Sequence, residues 1–567
     1  MSAPPSAAQP IAAAALWREA STGASARLVV LGLVALAALF YVFPLAVDIP
    51  LIDPDEGLHA AIAQEMVERG HYFVPTFLGE PFLDKPILFF WSQALSLKLF
   101  GMNDTAARLP GLLFGLFGAI STGLVARALL GRSAGVLAGC LYATMLMPLG
   151  QSQAAGPDVA LISWINLAVL FLWRADRATA RSTVLRAGAV AGVFLGLALL
   201  TKGLVGIALV CLMFGGLRVL RRPSTHVISA LVVAGVVAIA LALPWYLGVE
   251  RIRPGYLKYY FIDRHLLAYL SAGQRHGDSP WWYYVPILLG GGLPWLVYVP
   301  IAAFERWRDR RIPHRELDLL WIWLAAGFLF FSAGSSKLPT YLLPIFPAVA
   351  ILAAGVWRDL LTTGRAGSGR LLTAAIVAHL AVVALLTPIA LVVIRTRYGI
   401  EPPWHIWLFA GLAAFGAAAI WRVWSDRGPR AAFAVSLGLS AAIFVIAVAL
   451  LLPPVADATS AEQVAAHFNR LGSLPAQVWI VEDRVGSVVF YLDARLRSRL
   501  TSSTFRSISL ASIEGEINHA APDVVLAVRD RRLDGFERVM DLHGAPIERR
   551  RGFHFFTLPF ESPAGVR

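Results

Sequence analysis

Long apolar runs recur along most of the chain, and each is near the roughly 20 residues that a membrane-spanning helix needs. Thirteen such runs lie at residues 26–47, 106–129, 133–150, 158–174, 184–200, 203–218, 227–248, 282–303, 317–333, 340–357, 371–394, 404–421 and 431–452. A further run, Pro86–Phe100, is short and interrupted by polar residues, so we expect it to lie on the membrane surface. The pattern predicts a mainly α-helical, polytopic membrane protein with about 13 spans.

The polar segments between these runs divide the chain into regions. Residues 1–25 form a predicted cytoplasmic tail, and residues 26–454 form the membrane domain with two large loops, 48–105 and 249–281. Residues 455–567 mix charges of both signs, and short apolar runs alternate with helix-like stretches. This composition predicts a small soluble α/β domain at the C-terminus.

The distribution of basic residues predicts the orientation in the membrane. Hydrophobic residues make up 57% of the chain and charged residues 15%, which excludes a string of soluble domains. The net charge of +13 comes mostly from arginines in alternate short loops, as expected of cytoplasmic loops, and does not indicate nucleic-acid binding. Both large loops and the C-terminal domain are then predicted to lie outside the cytoplasm.

All five lysines fall on that outer side, against the usual bias, and three stand at predicted membrane boundaries: Lys85, Lys202 and Lys337. An ammonium group at this depth is a natural partner for a phosphate headgroup.

Carboxylates form a second candidate set. Asp55 and Asp158 stand at the outer ends of predicted helices and could flank one cleft, as general acid–base chemistry requires. N-capping of those helices is the alternative. For Asp53 and Glu56 we expect capping or local salt bridges.

Metal and nucleotide signals are weak. Asp84 and the Asp263-Arg264-His265 segment could bring carboxylate and imidazole to one divalent cation, although their spacing is not a metal motif. We expect His71 and His276 to be ordinary loop residues. No phosphate-binding glycine loop is present in the sequence, so we expect no nucleotide cofactor.

Several motifs together resemble bacterial GT-C integral-membrane glycosyltransferases, above all the ArnT-like aminoarabinose–lipid A transferases, which are related to protein O-mannosyltransferases. The motifs are Asp53-Pro-Asp-Glu-Gly, Asp84-Lys-Pro with Phe89-Phe-Trp, Gly156-Pro-Asp, Thr201-Lys-Gly, Pro280-Trp-Trp-Tyr-Tyr and Ser336-Lys-Leu-Pro-Thr-Tyr-Leu-Leu-Pro. Their order and the predicted topology extend the resemblance over nearly the whole chain.

The resemblance implies transfer of a sugar from a polyprenyl-phosphate carrier to an acceptor on the periplasmic side of the bacterial inner membrane. The roles that it implies are a catalytic acid at Asp55, a second acid at Asp158, carrier-phosphate contacts at Lys85 and Tyr341, and a metal contact, to zinc or a similar ion, at Asp84 and His265. Lys337 and Lys202 are further candidates for the phosphate.

Two departures from the family pattern leave the sugar and the acceptor open. The usual Glu-His-x-x-Arg segment reads Arg264-His-Leu-Leu-Ala268, so Arg264 or Arg275 is expected to replace the missing phosphate-facing arginine. The usual Asp-Glu-Gly-Arg-Tyr reads Asp-Glu-Gly-Leu58-His59. Asp55 would accept a proton from a hydroxyl acceptor, whereas an ionised lipid A phosphate needs no base.

The expected function is therefore an inverting transfer of a sugar from an undecaprenyl-phosphate-like donor to lipid A or another envelope glycan. The alternatives are a flippase or transporter of lipid-linked sugars, a transferase that acts on protein, and an inert scaffold whose outer domain binds envelope partners.

Overall fold

The computed structural model describes residues 24–221, 225–270, 279–309, 314–364, 367, 369–401, 404–517, 523–540, 548–550 and 552–558. The predicted tail 1–25, apart from its last two residues, lies outside the described residues. Arg275 and His276 in the second large loop also lie outside them.

Helices dominate the membrane domain up to residue 457. They are α1 (Ala24–Tyr41), α2 (Asp55–Arg69), α3 (Leu88–Phe100), α4 (Asp104–Leu130), α5 (Arg132–Ala143), α6 (Leu146–Ser152), α7 (Asp158–Arg177), α8 (Arg181–Lys202), α9 (Val205–Arg221), α10 (Thr225–Ile252), the π-helix Lys258–Leu267, α11 (Ala268–Leu270), α12 (Tyr284–Gly291), α13 (Val299–Arg308), α14 (Arg315–Ala333), α15 (Phe346–Thr363), α16 (Gly369–Tyr398), α17 (Trp404–Arg427), α18 (Pro429–Ile446), the π-helix Ala447–Leu451 and α19 (Leu452–Asp457). Short 3-10 helices occupy Phe43–Ala46, Trp295–Tyr298 and Pro339–Ile345, and a short hairpin joins β1 (Thr76–Phe77) to β2 (Glu80–Pro81).

All thirteen predicted spans coincide with helices, but the spans differ in form. Among the described residues, nine helices are long and apolar enough to cross a membrane, and two further spans are bent helix pairs. The pair α5 and α6 bends by 66°, and the pair formed by α12 and the helix from Trp295 to Arg308 bends by 96°. The two spans that remain, 26–47 and 203–218, coincide with α1 and α9. These helices have 18 and 17 residues and are thus near the lower limit for a span.

Close helix packing fixes one side of the bundle. Helices α8 and α10 approach closely at Gly188 and Gly192, where a Cβ would come within 2.7 Å of the Ala230 carbonyl oxygen and 2.6 Å of the Ala234 carbonyl oxygen. Small residues four positions apart allow this approach, as is common between helices in membranes. The contact fixes the position of α8, and with it the residue at its C-terminal end, Lys202.

The C-terminal domain is an α/β unit around a five-stranded sheet. Its elements are α20 (Glu462–Leu471), β3 (Gln477–Val481), α21 (Gly486–Tyr491), α22 (Ala494–Arg497), β4 (Phe505–Ile508), α23 (Leu510–Ile517), β5 (Val524–Arg529), α24 (Asp530–Met540), β6 (Glu548–Arg550) and β7 (Phe553–Leu558). The strand order is β4-β3-β5-β7-β6. Strand β3 runs parallel to β4 and β5, with Val478 opposite Phe505 and Val525, and β7 runs antiparallel to β5 and β6.

Side chains alternate between the two faces of this sheet, as strand geometry requires. Val478 and Ile480 belong to the buried core that continues into the membrane domain. Trp479 and Val481 belong to a separate cluster on the other face, together with Phe536 of α24. One face of the sheet therefore packs against α20 and α21, and α21 in turn contacts the membrane domain; the other face is covered by α23 and α24.

Candidate active site

A cavity of about 530 Å³ opens at one end of the helix bundle. Eight of the nine side chains singled out from the sequence line it: Asp55, Asp84, Lys85, Asp158, Lys202, Arg264, His265 and Tyr341. Apolar residues form much of the remaining wall, among them Leu204, Val205, Phe330 and Phe331. The cavity thus combines a charged region with an apolar region, as a site for an amphipathic lipid requires.

Asp158 and Lys202 meet because their helices are antiparallel neighbours. Helix α7 begins at Asp158 and α8 ends at Lys202, and the two side chains form an ion pair. The Lys202 Nζ also lies 4.6 Å from the centre of the Tyr341 ring, within the range of a cation–π contact. The N-cap position of α7 is occupied by Pro157 without a side-chain cap, so Asp158 does not cap this helix.

Lys85 lies between these charges, in the loop that follows β2. Burial lowers the pKa of Lys85, and the neighbouring ammonium of Lys202 lowers it further, while Asp158, Asp84 and Asp55 oppose the shift. An anion that entered the cavity would favour the charged form of Lys85. The lysine is therefore placed to respond to a bound phosphate.

Asp84 and His265, the predicted metal contacts, have other partners. Asp84 forms an ion pair with Arg264 and accepts a hydrogen bond from the Tyr259 hydroxyl at 2.5 Å. The Nδ1 of His265 lies 2.7 Å from the Tyr260 carbonyl oxygen. Within the described ranges, no group of three His, Cys, Asp or Glu side chains could hold a metal ion. The donors present at Asp84 and His265 therefore do not fit a metal ion.

Lys337 is the predicted site residue that the structure places elsewhere. Its Nζ donates a hydrogen bond to the Ser279 carbonyl oxygen at 3.0 Å, and the residue is 6% exposed. Its neighbours Ser336 and Leu338 line the cavity, whereas Lys337 does not. The hydrogen bond to Ser279 therefore holds the Lys337 ammonium outside the cavity lining.

His59 lines the cavity as well, although the sequence did not single it out. It lies on α2, four residues after Asp55, so both side chains project from one face of the helix. That spacing is the signal by which it could have been found.

Helix α2 itself is held by the C-terminal domain. The Ser487 backbone N–H donates to Asp53 Oδ1 at 3.2 Å, and the Ser487 hydroxyl donates to Asp53 Oδ2. A Cβ at Gly57 would collide with the backbone of Ser487, and one at Gly486 would collide with the backbone of Leu58. The expectation of a local partner for Asp53 is therefore wrong, because its partner lies 434 positions away.

Glu56 has the expected contact at the start of the helix, but its salt bridge is not a local one. It accepts a hydrogen bond from the Ile52 backbone N–H at 2.8 Å, which satisfies a donor at the start of α2. It also forms a salt bridge of 2.7 Å with Arg108 of α4. These contacts fix the N-terminal end of α2 and leave the next turn to face the cavity.

The fold and the cavity define a class: a multi-pass membrane protein of the GT-C type, with a small α/β domain beside a cavity at the membrane boundary. The predicted fold class is confirmed by comparison with known structures. ArnT from Cupriavidus metallidurans in the apo state superposes with a TM-score of 0.73 at 22% identity, covering 94% of this chain and 98% of that one. The same protein bound to undecaprenyl phosphate gives a TM-score of 0.72.

Sequence comparisons confirm the predicted resemblance to ArnT-like transferases. Residues 84–247 match the family described as dolichyl-phosphate-mannose-protein mannosyltransferase. The undecaprenyl phosphate-alpha-4-amino-4-deoxy-L-arabinose arabinosyl transferase 2 of Proteus mirabilis (strain HI4320) is 31% identical, over 57% of this chain and 59% of the relative. The corresponding transferase of Aeromonas salmonicida (strain A449) is 32% identical, over 58% and 59%. The chain thus spans about three fifths of the length of these relatives.

Proposed function

We propose that the protein is a glycosyltransferase that moves a sugar from a polyprenyl-phosphate donor to a lipid or glycan acceptor. The observation that carries this proposal is the cavity, where three cations lie beside an apolar wall at one end of the spans. A phosphate-linked sugar on a long apolar chain matches both parts. The names of the relatives, which specify an undecaprenyl-phosphate-linked sugar, support the same donor class.

The proposed chemistry is a single displacement at the anomeric carbon of the sugar. The carrier phosphate leaves with the bonding electron pair, so the site has to stabilise the negative charge that develops on it. Lys85, Lys202 and Arg264 supply positive charge around the cavity. Attack from the face opposite the phosphate inverts the anomeric configuration.

The remaining site residues have positioning roles in this proposal. Asp158 holds Lys202 through their ion pair, and Asp84 holds Arg264 in the same way. Tyr341 supports the Lys202 ammonium with its ring. Asp55 lines the cavity from the first turn of α2, and in this proposal it orients the acceptor.

The proposed location is the bacterial inner membrane, with the cavity facing the periplasm. The cavity lies at the ends of α7 and α8 marked by Asp158 and Lys202, and the opposite ends carry Arg177 and Arg181. Arginine-rich ends are typical of the cytoplasmic side.

The proposal is tested with purified Lys85→Ala and Asp55→Asn variants and a polyprenyl-phosphate-linked sugar. We expect Lys85→Ala to lower the rate of sugar transfer by at least about 100-fold, because one preorganised charge partner is typically worth that much. Asp55→Asn is expected to lower it as well. Lys98→Ala and Glu80→Gln, two exposed changes in the same loop, serve as matched controls and should keep the wild-type rate. Near wild-type transfer in both site variants would refute the proposal.

A further inference from the structure

His59 is a buried imidazole whose orientation is fixed by the protein. The residue is 4% exposed, and its Nδ1 lies 3.1 Å from the Ala155 carbonyl oxygen. Because a carbonyl oxygen only accepts hydrogen bonds, Nδ1 carries the hydrogen, and Nε2 of the neutral ring holds the lone pair. Within the described part of the chain, Nε2 has no hydrogen-bond partner, and the residue lines the cavity. A proton acceptor therefore faces the cavity.

The surroundings of His59 keep it in the neutral form. Burial lowers its pKa below the ordinary value for histidine; the Asp55 and Asp158 carboxylates oppose this, and Lys85 adds to it. The rings of Phe89 and Phe90 cover the imidazole on another side, with centroid distances of 6.3 and 5.6 Å. A neutral imidazole can take up a proton, and the Asp55 carboxylate on the same helix face would stabilise the imidazolium that forms.

The charges of the cavity wall distinguish between acceptor classes. Among the described residues that line it, three carboxylates balance three cations: Asp55, Asp84 and Asp158 against Lys85, Lys202 and Arg264. The donor adds the negative charge of its phosphodiester. An ionised phosphate acceptor would add further negative charge beside it, without a surplus of positive charge to offset the repulsion. A hydroxyl adds none.

We propose that the acceptor group is a hydroxyl and that His59 Nε2 takes its proton during transfer. This inference rests on the proposed glycosyltransferase function and names its acceptor class and a further catalytic residue. The acceptor oxygen forms a bond to the anomeric carbon as the bond from that carbon to the phosphate oxygen breaks. Polyprenyl phosphate leaves with the electron pair, and the hydroxyl proton moves to Nε2. The imidazolium returns this proton to solvent after the products leave.

The test uses the full-length purified protein, an undecaprenyl-phosphate-linked aminoarabinose donor, and two acceptors. One acceptor is lipid A with its phosphates, and the other is the same lipid A after phosphatase treatment, which keeps the hydroxyls. We expect similar transfer rates to both. Transfer that needs the phosphates would overturn the inference while leaving the proposed function intact. The absence of donor cleavage with either acceptor would instead contradict the proposed function.

The His59→Asn variant isolates the role of Nε2. The asparagine amide can still donate to the Ala155 carbonyl oxygen but has no group at the Nε2 position. We expect its transfer rate to fall by about 100-fold or more, the usual effect of losing a general base, while its melting temperature and its affinity for undecaprenyl phosphate stay unchanged.

The pH profile separates proton transfer from a purely structural role. The wild-type rate should fall about tenfold per pH unit on the acidic side of the His59 titration, because protonated imidazole cannot act as a base. In His59→Asn this limb should be absent. His71→Asn, a change of an exposed histidine in the same loop, should leave both rate and profile unchanged. A His59→Asn enzyme with the wild-type rate and acidic limb would overturn the inference.

Discussion

The ion pair between Asp158 and Lys202 shows how single residues prepare the cavity for an anion. Both side chains are largely buried, with 17% and 14% exposed. Neither charge is stable alone at such a site, since removal of one partner leaves the other uncompensated. The pair therefore keeps a cation at the membrane boundary while no substrate is bound.

Removal of the Asp158 charge should therefore destabilise the protein. We expect Asp158→Asn to cost about 3 kcal/mol of unfolding free energy, because Lys202 is left buried without its partner. The double variant Asp158→Asn with Lys202→Met should recover most of this loss but not the transfer activity. Thermal unfolding in detergent and a transfer assay provide the two measurements. An equally low melting temperature in the single and double variants would contradict this account.

Those cavity residues that lie at the beginning or end of a membrane span could be predicted from the sequence. Asp158 and Lys202 could be identified in this way, because chain position alone places the ends of adjacent helices together. Side-chain direction cannot be inferred from the sequence, so the sequence predicts a phosphate contact for Lys337, whereas its ammonium donates to the Ser279 carbonyl oxygen. The bond from Ser487 to Asp53 was also out of reach, since no local pattern reports a tertiary contact.

At the scale of the elements, the contact between α21 and α2 positions the cavity side chains that α2 carries. Helix α2 carries Asp55 and His59, and its N-terminal turn touches the backbone of Ser487 at Gly57. A second link supports it: the Tyr491 hydroxyl accepts from the Leu51 backbone N–H at 2.7 Å and donates to Asp104 Oδ1 at 2.6 Å. The C-terminal domain thus positions two cavity residues through its contacts with α2.

This docking should depend on pH through Asp53. Burial raises the pKa of this carboxyl to about 7, and the Ser487 hydrogen bonds only partly oppose the effect. The folded protein therefore holds the proton above the pH at which the unfolded chain loses it. The associated stability is fully present below about pH 4 and is lost as the pH rises through about 7.

Asp53→Asn removes the titrating group and keeps an acceptor oxygen for Ser487. We expect the variant to be more stable than the wild type at pH 8, by at most about 4 kcal/mol, since a tenfold change in proton affinity is worth about 1.4 kcal/mol. At pH 4 the advantage should nearly disappear, because there the carboxyl is largely protonated in the folded and the unfolded chain alike. Melting temperatures at both pH values test this, with the exposed change Asp493→Asn as the control. A difference that does not vary with pH would refute it.

Bends within the membrane helices could not be predicted from the hydrophobic pattern. The run at 133–150 predicts one span, but the chain bends by 66° between α5 and α6. The run at 282–303 likewise becomes two helical pieces at 96°. A bent pair of apolar helices and one straight helix bury similar residues. The amino-acid composition of the run therefore does not distinguish them. The number of apolar segments is predictable, and their geometry is not.

At the scale of the whole molecule, the arginine-bearing ends of α7 and α8 lie opposite the ends that form the cavity. Helix α8 has 22 residues and is about 33 Å long, enough to cross the hydrocarbon core, with Arg181 at one end and Lys202 at the other. The C-terminal domain contacts the cavity end through α2. Arg181 and the domain are therefore expected on different sides of the membrane.

Cysteine labelling in intact cells tests this arrangement. Single cysteines replace exposed Arg181 and Arg499 in a background where Cys140 and Cys211 are changed to alanine. A membrane-impermeant maleimide should label the Arg499→Cys protein in spheroplasts and the Arg181→Cys protein only after lysis. Labelling of both sites before lysis, or the reverse pattern, would contradict the proposed topology.

The contact between Ser487 and Asp53 has a consequence for biosynthesis. The ribosome produces the first loop early, but the helix that braces it is translated 434 positions later and, in the proposed topology, still has to cross the membrane. Every span is thus inserted before α2 acquires its partner. A chain that stops short of residue 486 would carry all of the cavity residues and lack the brace, so a nascent protein would mature into its working form only at the end of its synthesis.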